Sequence, residues 1–134
     1  MKGILLIMII ACAYAGSQLS ATVGESCDKN SNYNVQSFTV TPWPIIRTQQ
    51  YTILMTGVFV EKEYVEQLYF ATRLNRGFWH YTYQTVEKEY PKNTQANFTI
   101  SIQAPAEKGA YTDQVTLHRH DFSSLACWQY DYDL

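Results

Sequence analysis

Residues 97–104 read Asn97-Phe98-Thr99-Ile100-Ser101-Ile102-Gln103-Ala104. Phe98, Ile100, Ile102 and Ala104 fall on one face of an extended chain; Asn97, Thr99, Ser101 and Gln103 fall on the other. Successive side chains of a strand point to opposite faces, so this octet predicts a strand with one side in an interior and one in water. The same period returns at the end of the chain, "CWQYDYDL". Trp128, Tyr130, Tyr132 and Leu134 share one face, and Cys127, Gln129, Asp131 and Asp133 the other. The aromatic row is expected against the core, and the acids and Cys127 on the solvent side.

Working outward, β-prone runs recur with turn residues between them, at intervals of roughly 10–15 residues, the pattern of an all-β sandwich or barrel. "YNVQSFTVT" stops at Pro42-Trp43-Pro44, because proline cannot donate to a ladder. "QYTILMTGVFV" is apolar on both faces, as a central strand can be. "NRGFWHYTYQTV" opens on an Asn-Arg-Gly turn and is rich in β-formers. "GAYTDQVTLHRH" completes the set. "EYVEQLYFATRL" is ambiguous: its acidic start and Tyr64/Leu68 spacing suit a helix, whereas Tyr69, Phe70 and Thr72 suit a strand. No repeat, low-complexity tract or interdomain linker interrupts the chain.

The first residues, "MKGILLIMIIACAYAGSQ", carry a processing signal rather than fold. Lys2 supplies a positive start, Gly3–Ala13 an apolar run, and Ala13-Tyr14-Ala15 a small-x-small cleavage site. A membrane span needs about 20 apolar residues, more than this run offers. The expected organisation is a signal peptide at 1–15, an N-terminal lead at 16–26 and one domain at 27–134. Export and the secreted or endolysosomal lumen follow. Cys12 leaves with the signal, so Cys27 and Cys127 remain, and in an oxidising compartment the simplest pairing is one disulfide between them. Export also gives meaning to Asn97-Phe98-Thr99, a glycosylation sequon on an outward face.

The chain has 10 basic and 12 acidic residues and a net charge of −2. Without a concentrated basic surface, nucleic acid is excluded as a partner. Catalytic signals are thin. There is no Gly-x-Ser-x-Gly elbow or phosphate-cradling glycine loop. His118 and His120, two apart on a strand, could share a metal with Asp121 or His80, but they equally suit a polar strand end. Glu61, Glu63, Glu66, Glu87 and Glu89 sit with Lys62 and Lys88 in solvated "EKEY" stretches. The expectation is a monomer with no cofactor, no metal and no catalytic residue. The apolar inward faces have two readings: a dry core, or the lining of a pocket for an apolar ligand.

Short motifs bear on that choice. Pro105, Gly109 and Tyr111 form a Pro…Gly-x-Tyr turn, Leu117 and Asp121 end a strand as Leu-x-x-x-Asp, and Cys127 precedes Trp128 and Tyr130. Near the start, Cys27 is followed by a strand, Pro42-x-Pro44 and a strand opening near Tyr51. In these features the chain resembles the ML lipid-recognition domain family. It departs at Trp43, where members often have cysteine, in lacking further internal cysteine pairs, and over Val60–Tyr90. The resemblance implies an immunoglobulin-like two-sheet β-sandwich with an apolar cavity between the sheets. It further implies non-enzymatic binding and transfer of a sterol or phospholipid, with transient contact to a membrane or lipid receptor. On that basis the lining is assigned to Phe38, Val40, Ile53, Met55, Phe98, Ile100, Ile102, Trp128 and Tyr130. The alternative is a secreted protein- or glycan-interaction module with a solid core, presenting Trp43 and Trp79.

Overall fold

The computed structural model describes residues 19–134; the expected signal peptide lies outside the described residues. Seven long strands account for most of the chain: β3 (Tyr33–Thr41), β4 (Gln50–Phe59), β5 (Glu63–Leu74), β6 (His80–Tyr90), β7 (Gln95–Gln103), β8 (Ala110–His118) and β9 (Ser124–Asp133). Two short ones precede them, β1 (Ala21–Thr22) and β2 (Glu25–Ser26). They form two antiparallel sheets, ordered β1-β3-β4-β7 and β2-β9-β8-β5-β6. The expected all-β sandwich is therefore the observed fold.

The ambiguous segment 63–74 is strand throughout, and its partners explain why. Leu68 and Phe70 face the opposite sheet, and Phe70 pairs with Thr82 on one side and Val115 on the other. Burial on that face, supported from both edges, outweighs a short helical spacing. β6 also runs further than the β-prone run suggests. Glu87, at φ 47°, sits in an irregular register opposite β5, and pairing resumes at Lys88. The expected lead supplies β1 and β2, which add to different sheets across Gly24. That residue has φ 84°, and a Cβ there would meet the Gln129 carbonyl oxygen at 2.3 Å, so only glycine fits.

Both patterns read from the sequence hold. Phe98 and Ile100 are buried while Thr99 and Ser101 are exposed, and Tyr130 and Tyr132 are buried while Asp131 and Asp133 are exposed. The aromatic row meets the facing sheet ring to ring. Phe38 stacks on Trp128 at 5.7 Å and packs on Tyr130 at 5.6 Å, and Trp43 meets Tyr130 edge-on at 6.2 Å. Trp43 is thus packed against the core rather than presented to solvent. Further along, Tyr33 packs on Phe59 and Phe98, and Phe59 stacks on Tyr90 at 4.5 Å.

A disulfide joins Cys27 to Cys127, with Cα atoms 5.0 Å apart. Cys127 pairs with Thr116 on the outward face of β8–β9, as the alternation requires. The sheets approach most closely where β3 meets β9. On the other side two strand edges, β6 and β7, face each other without hydrogen bonding.

Candidate functional site: an apolar cleft between two sheet edges

That open side holds a cleft of about 220 Å³. Leu68 and Phe70 of β5 and Ile100 and Ile102 of β7 supply its apolar walls. Thr82, Tyr83 and Gln84 of β6 and Ser101 of β7 supply its rim. The local cause is the alternation in each strand. Leu68, Phe70, Ile100 and Ile102 point between the sheets because their neighbours Tyr69, Thr99 and Ser101 point out. β6 brings Thr82 and Gln84 to the same face, since they pair with Phe70 and Leu68. No lining residue carries a charge. The other hollows differ: the one beside the disulfide is edged by Asp28 and Lys29, and the one near Tyr90 by Lys88 and Glu89. The expected apolar space between the sheets is thus a side cleft, while the centre of the sandwich is filled.

Of the nine residues assigned to the lining, Ile100 and Ile102 stand at the cleft. Phe38, Val40, Ile53, Met55, Phe98 and Tyr130 lie in the closed core, each at most 7% exposed. Trp128 is half-buried beside the disulfide, and its indole nitrogen donates to the Val23 carbonyl at 2.9 Å. Leu68, Phe70, Thr82 and Gln84 come from 60–90, the stretch in which the family motifs fade. The alternation within 63–74 could have nominated Leu68 and Phe70, had the helical spacing not competed.

Beyond the cleft, among the described residues the core contains one buried acid, Asp113, with no exposed surface. Tyr51 and Tyr130 each donate to its Oδ2 at 2.7 Å, and Tyr132 donates to Oδ1 at 3.1 Å. Tyr51 belongs to one sheet and Asp113 to the other, so the cluster clasps the layers together. Burial pushes the Asp113 carboxyl above its ordinary range, against the pull of the hydroxyls that bond to it. Burial beside that carboxyl also drives the three tyrosines upward, so they remain donors. Asp113 itself is closed off from solvent, while Tyr132 borders a surface hollow beside Asp131 and Asp133. Its sequence signal was present: Asp113 falls on the face of Tyr111, Val115 and Leu117.

The histidines do not converge. β8 ends at His118, so the two-residue rule lapses before His120. His118 sits 2.9 Å from both the Thr116 hydroxyl and the Phe122 carbonyl, and His120 is 3.0 Å from Glu66. Among the described residues no group of three or more His, Cys, Asp or Glu could hold a metal ion. Glu63 and Arg119 form a two-point ion pair at 2.9 and 3.0 Å that ties β5 to the loop after β8. Asn97 is exposed on the outward face of β7.

At the level of sequence, no family model and no curated protein matches the chain. Solved structures do. A Niemann-Pick type C2 protein from Japanese carpenter ant overlays with a TM-score of 0.63 at 11% identity, covering 83% of this chain and 98% of that one. The C-terminal domain of wzt overlays with a TM-score of 0.64 at 11% identity, covering 90% of this chain and 83% of that one. At such identity the likeness is one of shape: this chain shares the two-sheet β-sandwich fold of the Niemann-Pick type C2 protein and of the wzt domain.

Proposed function

We propose that the chain is an ML-type lipid carrier that takes the apolar part of a sterol or phospholipid into the cleft between β6 and β7. The observation that carries this reading is the uncharged slot walled by Leu68, Phe70, Ile100 and Ile102 between two unbonded strand edges. An apolar guest there gains about 25 cal/mol for each Å² removed from water. Ligand pockets generally measure about 300–1,000 Å³, so the cleft at about 220 Å³ must widen around its guest. β6 and β7 are joined at one end by residues 91–94 and by the Tyr90–Phe98 ring contact, but no ladder pairs them, so beside the cleft their edges can part while the disulfide and the Asp113 clasp hold the rest. No covalent step is required, and the protein acts as a carrier rather than an enzyme. It works outside the cytosol, after removal of residues 1–15, with a glycan on Asn97. The ant protein of the same fold supports the reading by its shape alone.

The test is mass spectrometry of organic extracts of the purified protein, paired with uptake of a fluorescent sterol and a fluorescent phospholipid. Equimolar co-purified lipid, or saturable uptake, is expected. Neither, under any loading condition, would leave an interaction module with a solid core.

A further inference from the structure

The larger sheet ends on a long strand with no partner on its far side. In the order β2-β9-β8-β5-β6, one end is the two-residue β2 and the other is β6. Every second residue of such an edge turns its N–H and C=O outward, a template for another strand. Native edges are blunted by charge, proline or a bulge. The end of β6 nearest Tyr90 has two of these: the irregular register at Glu87, and the charges of Glu87, Lys88 and Glu89. Residues 80–86 have none, for they include no Asp, Glu, Lys, Arg or Pro.

The outward face of that segment is aromatic. Tyr81 is 61% exposed and Tyr83 64%, and the Tyr83 ring lies 5.9 Å from that of Tyr69. β7, the other long open edge, presents polar Asn97, Thr99, Ser101 and Gln103 instead. Charge of opposite sign brackets the uncharged segment. Arg73 and Arg76 stand at its turn end, where the Arg73 guanidinium lies 4.5 Å from the centre of the Trp79 ring, and Glu87 and Glu89 stand at the other. Among the described residues neither arginine makes an ion pair. The partner of Glu89, Lys62 at 3.0 Å, is itself exposed.

We propose that β6 is an interface between two copies of this chain, joined edge to edge about a two-fold axis, in place of the expected monomer. Full antiparallel overlap of the two 80–86 segments sets Tyr83 opposite Tyr83 and Tyr81 opposite Thr85. The rings of Tyr69 and Tyr83 from both copies then form one row across the seam. Beyond the overlap, the same register sets Glu87 of one copy opposite Trp79 of the other, and Glu89 opposite Gly77. Each acidic end thus meets the end that carries Arg73 and Arg76. Parallel pairing would put like charges together. Self-pairing consumes both edges at once, so assembly stops at two. The face offers tyrosine, tryptophan and arginine, which are enriched in interface cores. Contact confined to one strand and its turn is small, so the pair is reversible.

The experiment is sedimentation equilibrium of the mature, disulfide-bonded chain over a concentration series, with oxidative cross-linking of variants that carry one added cysteine. The wild type is expected to show a monomer–dimer equilibrium. Tyr83→Lys sets like charges against each other at the axis and should raise the dissociation constant at least about tenfold. Arg76→Glu should also raise it, and Arg76→Glu combined with Glu89→Arg should restore it. Tyr83→Cys should give a covalent dimer, because directly opposed residues have Cα atoms about 4.5–5.5 Å apart, within disulfide reach. Thr99→Cys on β7 should not. Phe122→Ser, at an exposed position on the loop after β8, should leave the dimer intact. Monomer mass at every concentration up to about 1 mM overturns the proposal, as does a dimer that Tyr83→Lys leaves unchanged. Cross-linking through Thr99→Cys and not Tyr83→Cys would move the seam to β7, and growth past two copies would make the edge an open-ended aggregation site; either result also overturns it. A monomer whose β6 amides are protected from exchange only by an added extended peptide would assign the edge to a different partner and refute the pair. None of these measurements involves lipid, so the carrier reading stands or falls separately.

Discussion

Tyr51→Phe removes a single hydroxyl from a closed interior, which makes it a clean measure of the Asp113 clasp. Tyr51 is 1% exposed and provides a donor from the opposite sheet, at 2.7 Å. Without it Oδ2 keeps the Tyr130 hydroxyl and loses its donor from the opposite sheet. A hydrogen bond to a charged group is worth about 1.5–3 kcal/mol, so about 2 kcal/mol should be lost when Asp113 is ionised. For a domain of this size that lowers Tm by about 8 °C. The cost must depend on pH. Burial raises the Asp113 carboxyl above its ordinary value of 3.8, so the folded chain holds this proton more tightly than the unfolded one. That stabilisation is full below 3.8 and is lost as pH rises through the raised value. Once protonated, Asp113 depends less on outside donors, because a neutral hydrogen bond is worth only about 0.5–1.5 kcal/mol. Calorimetry of wild type and Tyr51→Phe across a pH series should therefore show a larger Tm loss above the raised value than below 3.8. An equal loss across the whole series, or none on its upper side, would refute the clasp.

Other outcomes follow from the same geometry. Replacing Cys27 and Cys127 together with serine opens a loop of 100 residues, which by chain entropy costs about 4–5 kcal/mol; thermal melts with and without reductant check this, and non-reducing digestion should yield the linked peptide. Ile100→Asp puts a charge into the cleft, whereas Thr99→Asp puts one into water, so the first should abolish fluorescent-lipid uptake and the second should leave it nearly intact. Equal effects would show that the cleft is not the binding site. Glu63 titrates in the opposite sense to Asp113. Hydrogen bonds from Arg119 hold it below its ordinary 4.5, so its contribution is present above that value and lost as pH falls through the lowered one. Glu63→Gln should flatten that acid limb in a Tm-against-pH profile.

How much of this was legible before folding depends on which interactions are local. A period of two is a property of the backbone, so Phe98-x-Ile100 and Tyr130-x-Tyr132 declared their faces in the sequence, and β7 and β9 fell close to their expected limits. Segment 63–74 stayed ambiguous because its decisive contacts, with Thr82 and Val115, come from strands far along the chain. The tiny strands around Gly24 form only because finished sheet edges lie ready to receive them. Asp113 was visible as an acid on an apolar face, but its three tyrosine partners were not, since one of them reaches it across the sandwich.

By itself the sequence determined an all-β chain with one greasy face per strand and two cysteines placed to staple its ends. Those are consequences of backbone geometry and composition, which every folded form of the chain must respect. Only the tertiary structure decided which greasy faces close against each other and which stay apart. That outcome depends on how two twisted sheets align: they pinch at β3 and β9, where rings fill the gap, and leave β6 and β7 unbonded over Leu68, Phe70, Ile100 and Ile102.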